Sequence, residues 1–155
     1  MIEIERKFLV ADTTCVQQAR KKYHIVQGYL NRDSKRTVRV RIRDSWGFLT
    51  IKGQSSDDGW SHYEWEKEIS VSEATELLEL CEPYPIAKIR HIITFKNQEF
   101  EVDEFLEKNQ GLWLAELELE SINQSIQLPD WIGKEVTGDR RYYNSYLSQK
   151  PFSTW

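Results

Sequence analysis

The first residues of the chain place two carboxylates and an ammonium group on one side of a single predicted strand. Successive side chains of a strand point to opposite faces, so Glu3, Glu5 and Lys7 share one face while Ile4 and Phe8 share the other. A row of charges is typical of a solvated strand face. The same three side chains could also hold a divalent cation and a phosphate group.

The alternation recurs along the chain with the charges sorted by sign. Residues 37–43 alternate apolar residues with three arginines, and residues 46–52 follow after a tight turn, which predicts a hairpin. Strands over 62–71, 99–105 and 112–121 carry rows of carboxylates, whereas a strand over 86–95 carries two bases. The charged faces collect Lys7, Arg39, Arg41, Arg43, Lys52, Lys88 and Arg90, together with Glu3, Glu5, Glu64, Glu66, Glu101, Asp103, Glu116 and Glu118.

Sorted charges make a closed sheet an alternative to a set of solvated faces. Like charges opposite each other destabilise a sheet, so solvated faces normally mix their residue types. A barrel of about eight strands has room for side chains or one small ligand. The chain, 1–155, is therefore predicted to form a single, all-β-dominated (α+β) domain. Its expected architecture is an eight-stranded antiparallel β-barrel tunnel with a charged interior and a few peripheral helices.

Three helices and one close backbone approach are predicted around these strands. A short helix is expected over 12–22, capped by Asp12 or Thr13, and another over 139–147. A third is expected over 72–81, with Ser72 as N-cap and Glu82-Pro83 as its end. Gly28, inside a predicted strand over 24–31, indicates a close approach or a bulge.

The predicted interior also indicates its ligand. Unpaired buried charge is costly, so a wall of Lys and Arg favours a polyanion. A carboxylate cluster without His or Cys favours a hard cation such as Mg²⁺ or Mn²⁺. Together they indicate a bound oligophosphate and phosphoryl transfer. The alternation alone leaves salt-bridged, solvated strands open as the alternative.

Composition narrows the class of protein further. The net charge of −4 gives no basic field for nucleic acid. The acidic start is unlike a signal peptide, and no apolar stretch is long enough to cross a membrane. Cys15 and Cys81 are far apart, which favours reduced thiols and a cytoplasmic protein. The three histidines, His24, His62 and His91, lack metal-like spacing and are expected at the surface or in packing.

The ordered strand motifs resemble those of the CYTH superfamily, the triphosphate tunnel metalloenzymes. Glu3-Ile-Glu-Arg-Lys7 has the ExExK spacing of that family, and the resemblance extends over nearly the whole chain. It is greatest to the short bacterial branch that hydrolyses inorganic triphosphate. The further motifs are residues 27–30 (QGYL), 39–41 (RVR), 49–52 (LTIK), 64–66 (EWE), 88–90 (KIR), 101–103 (EVD), 116–118 (ELE) and 135–144 (EVTGDRRYYN).

The resemblance implies a role for each charged residue. By analogy the metal ligands are Glu3, Glu5, Glu116 and Glu118, with Glu66 and Asp103 as further ligands. Residues 135–144 correspond to the closing strand-to-helix segment of the family, here called the closing segment. Phosphates would be bound by Lys7, Arg39, Arg41, Lys52, Lys88, Arg90 and, from the closing segment, Arg141. The catalytic set would be Lys7, Glu5, Arg41 and Glu64, with water attacking the terminal phosphorus and a glutamate taking its proton. Relatives often carry Lys where this chain has Arg140, and Arg is not a neutral exchange at a phosphate contact.

The function implied is divalent-metal-dependent hydrolysis of inorganic triphosphate to diphosphate and phosphate. Other enzymes on the same tunnel remain alternatives: a thiamine-triphosphatase, a nucleoside triphosphatase or a class IV-type adenylate cyclase. A polyphosphate-binding module is the non-catalytic alternative, although it could dispense with Glu3 and Glu5. The expected partner is a small molecule that contains a triphosphate, and the resemblance also makes a homodimer possible.

Overall fold

The computed structural model describes residues 1–81 and 85–155. Its nine strands are β1 (Ile2–Val10), β2 (Lys21–Asn31), β3 (Arg36–Arg43), β4 (Trp46–Gly53), β5 (Ser61–Ile69), β6 (Ile86–Phe95), β7 (Gln98–Phe105), β8 (Trp113–Leu119) and β9 (Ile132–Glu135). The α-helices are α1 (Val71–Leu78) and α2 (Asn144–Leu147). Short 3-10 helices span Thr13–Gln18, Glu107–Asn109, Arg140–Tyr142 and Phe152–Thr154.

Eight of the strands close into an antiparallel barrel, as predicted. The hydrogen-bonded order is β5-β4-β3-β2-β6-β7-β8-β1, and β1 also pairs with β5. One edge of β1 is divided between two partners, because Ile2 to Ile4 pair with β5 while Phe8 and Val10 pair with β9. The ninth strand therefore extends the sheet outside the closed ring.

Strand β9 is fastened to β1 by a two-point ion pair. The Arg6 guanidinium donates to both carboxylate oxygens of Glu135, at 2.8 and 2.5 Å. Arg6 is the one charged residue among the apolar side chains of its face, and its guanidinium also lies 4.8 Å from the ring centre of Trp60. This bidentate arrangement gives the pair a defined geometry, which holds the closing segment against the barrel.

Apolar packing covers the outside of the barrel and closes one of its ends. The outward faces of β6, β7 and β8 pack Ile93, Phe100 and Leu117 against Trp131, so this tryptophan packs on the exterior. A second cluster joins Leu147 of α2 to residues that share a face with the inward charges, because strand faces alternate. Its buried members are Ile86, Phe105, Leu112, Leu114, Val136 and Leu147.

Helix α1 lies over β2, β3 and β4, and its N-cap lies two residues earlier than predicted. The Ser70 hydroxyl accepts from the Glu73 backbone N–H at 3.0 Å, while the Glu73 carboxylate accepts from the Ser70 N–H at 3.1 Å. This capping box makes Ser70 the N-cap, so the assignment to Ser72 is wrong. The predicted stop at Glu82-Pro83 lies outside the described residues. Gly28 does mark a close approach, since a Cβ there would lie 2.7 Å from the Cys81 Cβ.

The other two helix predictions were too long. Asp12 caps its helix as expected, but the helix is a 3-10 turn that ends at Gln18. The following lysines begin β2, where cross-strand pairing with β6 outweighs local helical preference. The closing segment is divided at Tyr143, whose extended backbone separates a 3-10 turn from α2. In the described part of the chain no helix combines the length and apolarity needed to cross a membrane.

The position of the N-cap can be tested with two serines on either side of the helix start. Replacing an N-cap serine by alanine removes a hydrogen bond to an otherwise unpaired N–H, at a cost of about 1 kcal/mol. We therefore expect Ser70→Ala to lower the free energy of unfolding by about that amount, measured by urea denaturation. Ser72→Ala is the matched control and should change it by less than about 0.5 kcal/mol. Equal effects would contradict the capping box.

Candidate active site

A cavity of about 540 Å³ lies inside the barrel, and the charged strand faces line it. The inward direction of these faces was the central prediction from the alternation, and it is confirmed. Solvated outer faces are thereby excluded for these strands. The charged strand residues that line the cavity are Glu3, Glu5, Lys7, Arg39, Arg41, Arg43, Lys52, Glu64, Glu66, Lys88, Arg90, Glu101, Glu116 and Glu118.

The strand order divides this lining into two opposed arcs. Neighbouring strands β4, β3, β2 and β6 carry the basic arc, formed by Lys52, Arg39, Arg41, Arg43, Lys88 and Arg90. Neighbouring strands β7, β8, β1 and β5 carry the acidic arc, formed by Glu101, Glu116, Glu118, Glu3, Glu5, Glu64 and Glu66. Opposite walls of one cavity thus carry charges of opposite sign. The order of the strands along the sequence does not show this separation.

Two arginines of the basic arc, Arg39 and Arg41, donate hydrogen bonds to neutral side chains. Arg41 Nε donates to Gln27 Oε1 at 2.9 Å, and Arg39 Nη2 donates to Thr50 Oγ1 at 3.2 Å. The buried Nε of Arg39 has no partner among the described residues. Burial, together with the charges of Arg39 and Arg90, lowers the pKa of Arg41 to about 9. The arc is therefore short of negative charge, and an anion would relieve the repulsion.

Asp103 lies behind the basic arc and binds two of its members. Its carboxylate accepts from Lys88 Nζ at 2.7 Å and from Arg90 Nε and Nη2 at 2.8 and 2.9 Å. Only 1% of the residue is exposed. Burial lowers the pKa of Lys88 to about 7, and although Asp103 opposes this, Arg90 and Arg41 add to it. Asp103 was predicted as a metal ligand, and it would serve as one only by giving up one of these bonds.

The carboxylates of the acidic arc repel one another. Glu5 lies opposite Glu118 across the β1–β8 pair. Burial, and then the neighbouring Glu116 charge, raise the pKa of Glu5 to about 8. Within the described residues the Glu5 carboxylate accepts no hydrogen bond. Burial and a hydrogen bond to Glu3 raise the pKa of Glu64 to about 7. A divalent cation among these oxygens would remove the repulsion, and oxygen-rich sets suit hard cations.

Two nitrogen groups already converge on one carboxylate of this arc. Glu3 Oε2 lies 3.1 Å from Lys52 Nζ and 2.5 Å from His62 Nε2. Burial opposes ionisation of Glu3, but the bond to His62 and the charge of Lys52 hold its pKa well below the usual range. The expectation that His62 is a surface or packing residue is wrong, because it lines the cavity. Its position two residues before Glu64 on one strand face was the available signal.

Lys7 lies among the strands of the acidic arc, and Glu66 lies where that arc meets the basic arc. Lys7 Nζ donates to the Tyr142 carbonyl at 3.2 Å and lies 3.7 Å from Glu116 Oε1, so the closing segment and the acidic arc share it. Glu66 Oε2 accepts from Thr50 Oγ1 at 2.7 Å and lies 3.6 Å from the Arg39 guanidinium. Both side chains therefore reach the cavity, as the sequence indicated.

The closing segment contributes Arg140 to the cavity, not the predicted Arg141. Arg140 is among the lining residues. Arg141 instead pairs with Asp139, with Nη2 at 2.8 Å from Oδ2, and more than half of its side chain is exposed. Asp139 caps the 3-10 turn by accepting from the Arg141 N–H, which directs that side chain away from the barrel.

Comparisons with known proteins agree with this architecture. The CYTH domain family profile matches residues 1–145. An inorganic triphosphatase of Acetivibrio thermocellus is 46% identical over 154 residues, which are 99% of this chain and 97% of that protein. An inorganic triphosphatase of Nitrosomonas europaea is 35% identical over 152 residues, with 96% and 97% covered. The solved structure of the inorganic triphosphatase NE1496 has a TM-score of 0.65 and 31% identity, with 94% and 97% covered.

Adjacent arginines in the closing segment give a matched test of the site. Removing a charge-assisted hydrogen bond costs about 1.5 kcal/mol, or about tenfold in affinity. We expect Arg140→Ala to weaken binding of tripolyphosphate about tenfold by isothermal titration calorimetry. Arg141→Ala should leave the affinity within about twofold, because its guanidinium binds Asp139 outside the cavity. The reverse order of effects would contradict the placement of these two side chains.

Proposed function

Because this chain belongs to the CYTH domain family, we propose that it hydrolyses inorganic triphosphate to diphosphate and phosphate with a divalent metal ion. The similarity to two inorganic triphosphatases, at 46% and 35% identity over nearly the full chain, supports this substrate. The reaction would take place inside the barrel. The predicted cytoplasmic location and homodimer belong to the same proposal.

The observation that carries the proposal is the opposition of the basic and acidic arcs across one cavity. In a complex of triphosphate with a divalent cation, the negative charge lies on the phosphate chain and the positive charge lies on the metal ion. Its anionic chain would lie along the basic arc, and its cation would lie on the acidic arc. A cavity of about 540 Å³ has room for both.

The residues that would hold the cation are carboxylates of β1, β5 and β8. Glu3, Glu5, Glu116 and Glu118 form the proposed set, with Glu66 as a further ligand. The Glu5 oxygens have no hydrogen-bond donor in the described chain, so they are available as ligands, and all-oxygen sets fit Mg²⁺ or Mn²⁺. When bound, such a cation would neutralise phosphate charge and polarise the phosphoryl group.

The basic arc, together with Lys7 and Arg140, would bind the phosphate chain. Arg39 has a buried Nε without a partner, which is a donor available to a phosphate oxygen. Arg41 is fixed by Gln27 and would stabilise charge that develops on the transferred group. Lys88 and Arg90 are oriented by Asp103, so their positions are set before substrate binds. Arg140 takes the role that was predicted for Arg141.

Proton transfer falls to a carboxylate of the acidic arc. Water would attack the terminal phosphorus while Glu64 takes its proton, and the bond from that phosphorus to the bridging oxygen would break. Diphosphate then leaves with its new negative charge paired to Lys and Arg. The pKa of Glu64 is raised to about 7, which suits a general base near neutral pH. Glu5 and Lys7 would orient the reacting group, and no covalent intermediate is needed.

The decisive experiment measures phosphate release from inorganic triphosphate, ATP and thiamine triphosphate, each with Mg²⁺, Mn²⁺ or EDTA. We expect metal-dependent release from inorganic triphosphate and little from the two organic triphosphates. Glu5→Gln and Lys7→Ala should each lower kcat/KM by about a hundredfold or more, since each removes a charge at the reacting group. Glu68→Gln, an exposed position on β5 outside the cavity, is the control that should retain activity.

The alternative functions give different products. A cyclic nucleotide and diphosphate from ATP would identify a cyclase, and faster release from thiamine triphosphate would identify an organic triphosphatase. Tight binding of tripolyphosphate without release under any condition would leave a polyphosphate-binding module. Each of these results would overturn the proposed hydrolysis of inorganic triphosphate.

A further inference from the structure

His62 is the only imidazole on the cavity wall within the described residues, and it faces the acidic arc. It lies directly opposite Glu3 where β1 and β5 pair to close the barrel. Only 9% of its side chain is exposed. Neither phosphate binding by the lysines and arginines nor packing of the barrel exterior explains why a buried imidazole faces the charged cavity.

His62 also completes a compact set of ligand atoms. One ligand atom from each of Glu3, Glu5 and His62 lies within 4.8 Å of the other two, and the described residues contain no other such group of three. Two of these ligands come from β1 and one from β5, so the set exists only because the barrel closes. The Glu5 carboxylate, which accepts no hydrogen bond from the described residues, is available to an ion in this set.

We propose that His62 Nε2 is a direct ligand of the divalent cation, beside carboxylate oxygens of Glu3 and Glu5. This inference rests on the metal dependence in the proposed function and adds a nitrogen donor to its oxygen ligands. Imidazole suits first-row transition metals, whereas Mg²⁺ strongly prefers oxygen. The site of this chain therefore favours Mn²⁺ over Mg²⁺, and His62 is a residue that determines metal preference.

The geometry requires little adjustment. Metal–ligand bonds of about 2.1 Å at right angles separate two ligand atoms by about 3 Å. His62 Nε2 and Glu3 Oε2 are 2.5 Å apart, so opening them by about half an ångström would admit the ion. Lys52 Nζ lies 3.1 Å from the same oxygen, so the ion would take the place of this ammonium group at Glu3. A purely structural histidine would instead keep its bond to Glu3 when the ion binds.

The test is pulsed electron paramagnetic resonance of protein-bound Mn²⁺, which detects nitrogen directly coordinated to the ion. Wild-type protein is loaded with one equivalent of Mn²⁺, once unlabelled and once with ¹⁵N-histidine. We expect electron spin echo modulation from coordinated nitrogen that changes to the ¹⁵N pattern on labelling. The chain has only three histidines, so His24→Gln and His91→Gln assign the signal by elimination even if His62→Gln fails to fold.

Affinity provides the second readout. His62→Gln should lose the nitrogen signal and weaken Mn²⁺ binding at least about tenfold, while Mg²⁺ binding changes less than about threefold. His24→Gln, at an exposed position on β2, is the matched control and should keep the nitrogen signal and the Mn²⁺ affinity. Bound Mn²⁺ without histidine coupling, or coupling that persists in His62→Gln, would overturn the inference. Because hydrolysis with Mg²⁺ is measured separately, that outcome differs from failure of the proposed function, in which neither ion supports phosphate release.

Discussion

Balance of buried charge is the constraint on which this barrel depends. Two opposed rows of like charges face a closed interior, and each row would destabilise the sheet if it were left unmatched. Buried pairs such as Lys88 with Asp103 relieve part of this cost. The remainder, visible in the raised pKa of Glu5 and the lowered pKa of Arg41, would be relieved by a ligand with both signs of charge. Stability and ligand choice are thus set by one electrostatic arrangement.

Strand β1 connects this electrostatic arrangement to the topology. Its inward residues include carboxylates proposed to bind the metal and a lysine proposed to bind phosphate, while its edge is shared between β5 and β9. The β5 pairing brings His62 to Glu3, and the β9 side brings the closing segment to Lys7, whose ammonium meets the Tyr142 carbonyl. Closure of the barrel therefore brings β5 to the site, since only the β1–β5 pairing closes the ring, whereas β9 is a neighbour of β1 in the open order of the sheet.

The sequence predicted those features that depend on strand alternation and missed those that depend on long-range register. Alternation identified nearly every strand and the inward direction of its charges, because a period of two repeats over many residues. It could not distinguish Arg140 from Arg141, since a 3-10 turn has no such repeat. The contact of His62 with Glu3 depends on strand pairing between residues that are 59 positions apart in the chain. The start of α1 was missed because two nearby serines both have capping chemistry.

The opposition of the two arcs is tested most directly by a crystal structure with Mn²⁺ and a triphosphate analogue that carries nitrogen at its bridging positions. Anomalous scattering locates the manganese independently of the phosphates. We expect manganese within about 2.3 Å of carboxylate oxygens of β1 and β8, with the phosphates along β3, β4 and β6. Manganese on the basic wall, or phosphates bound outside the barrel, would contradict it.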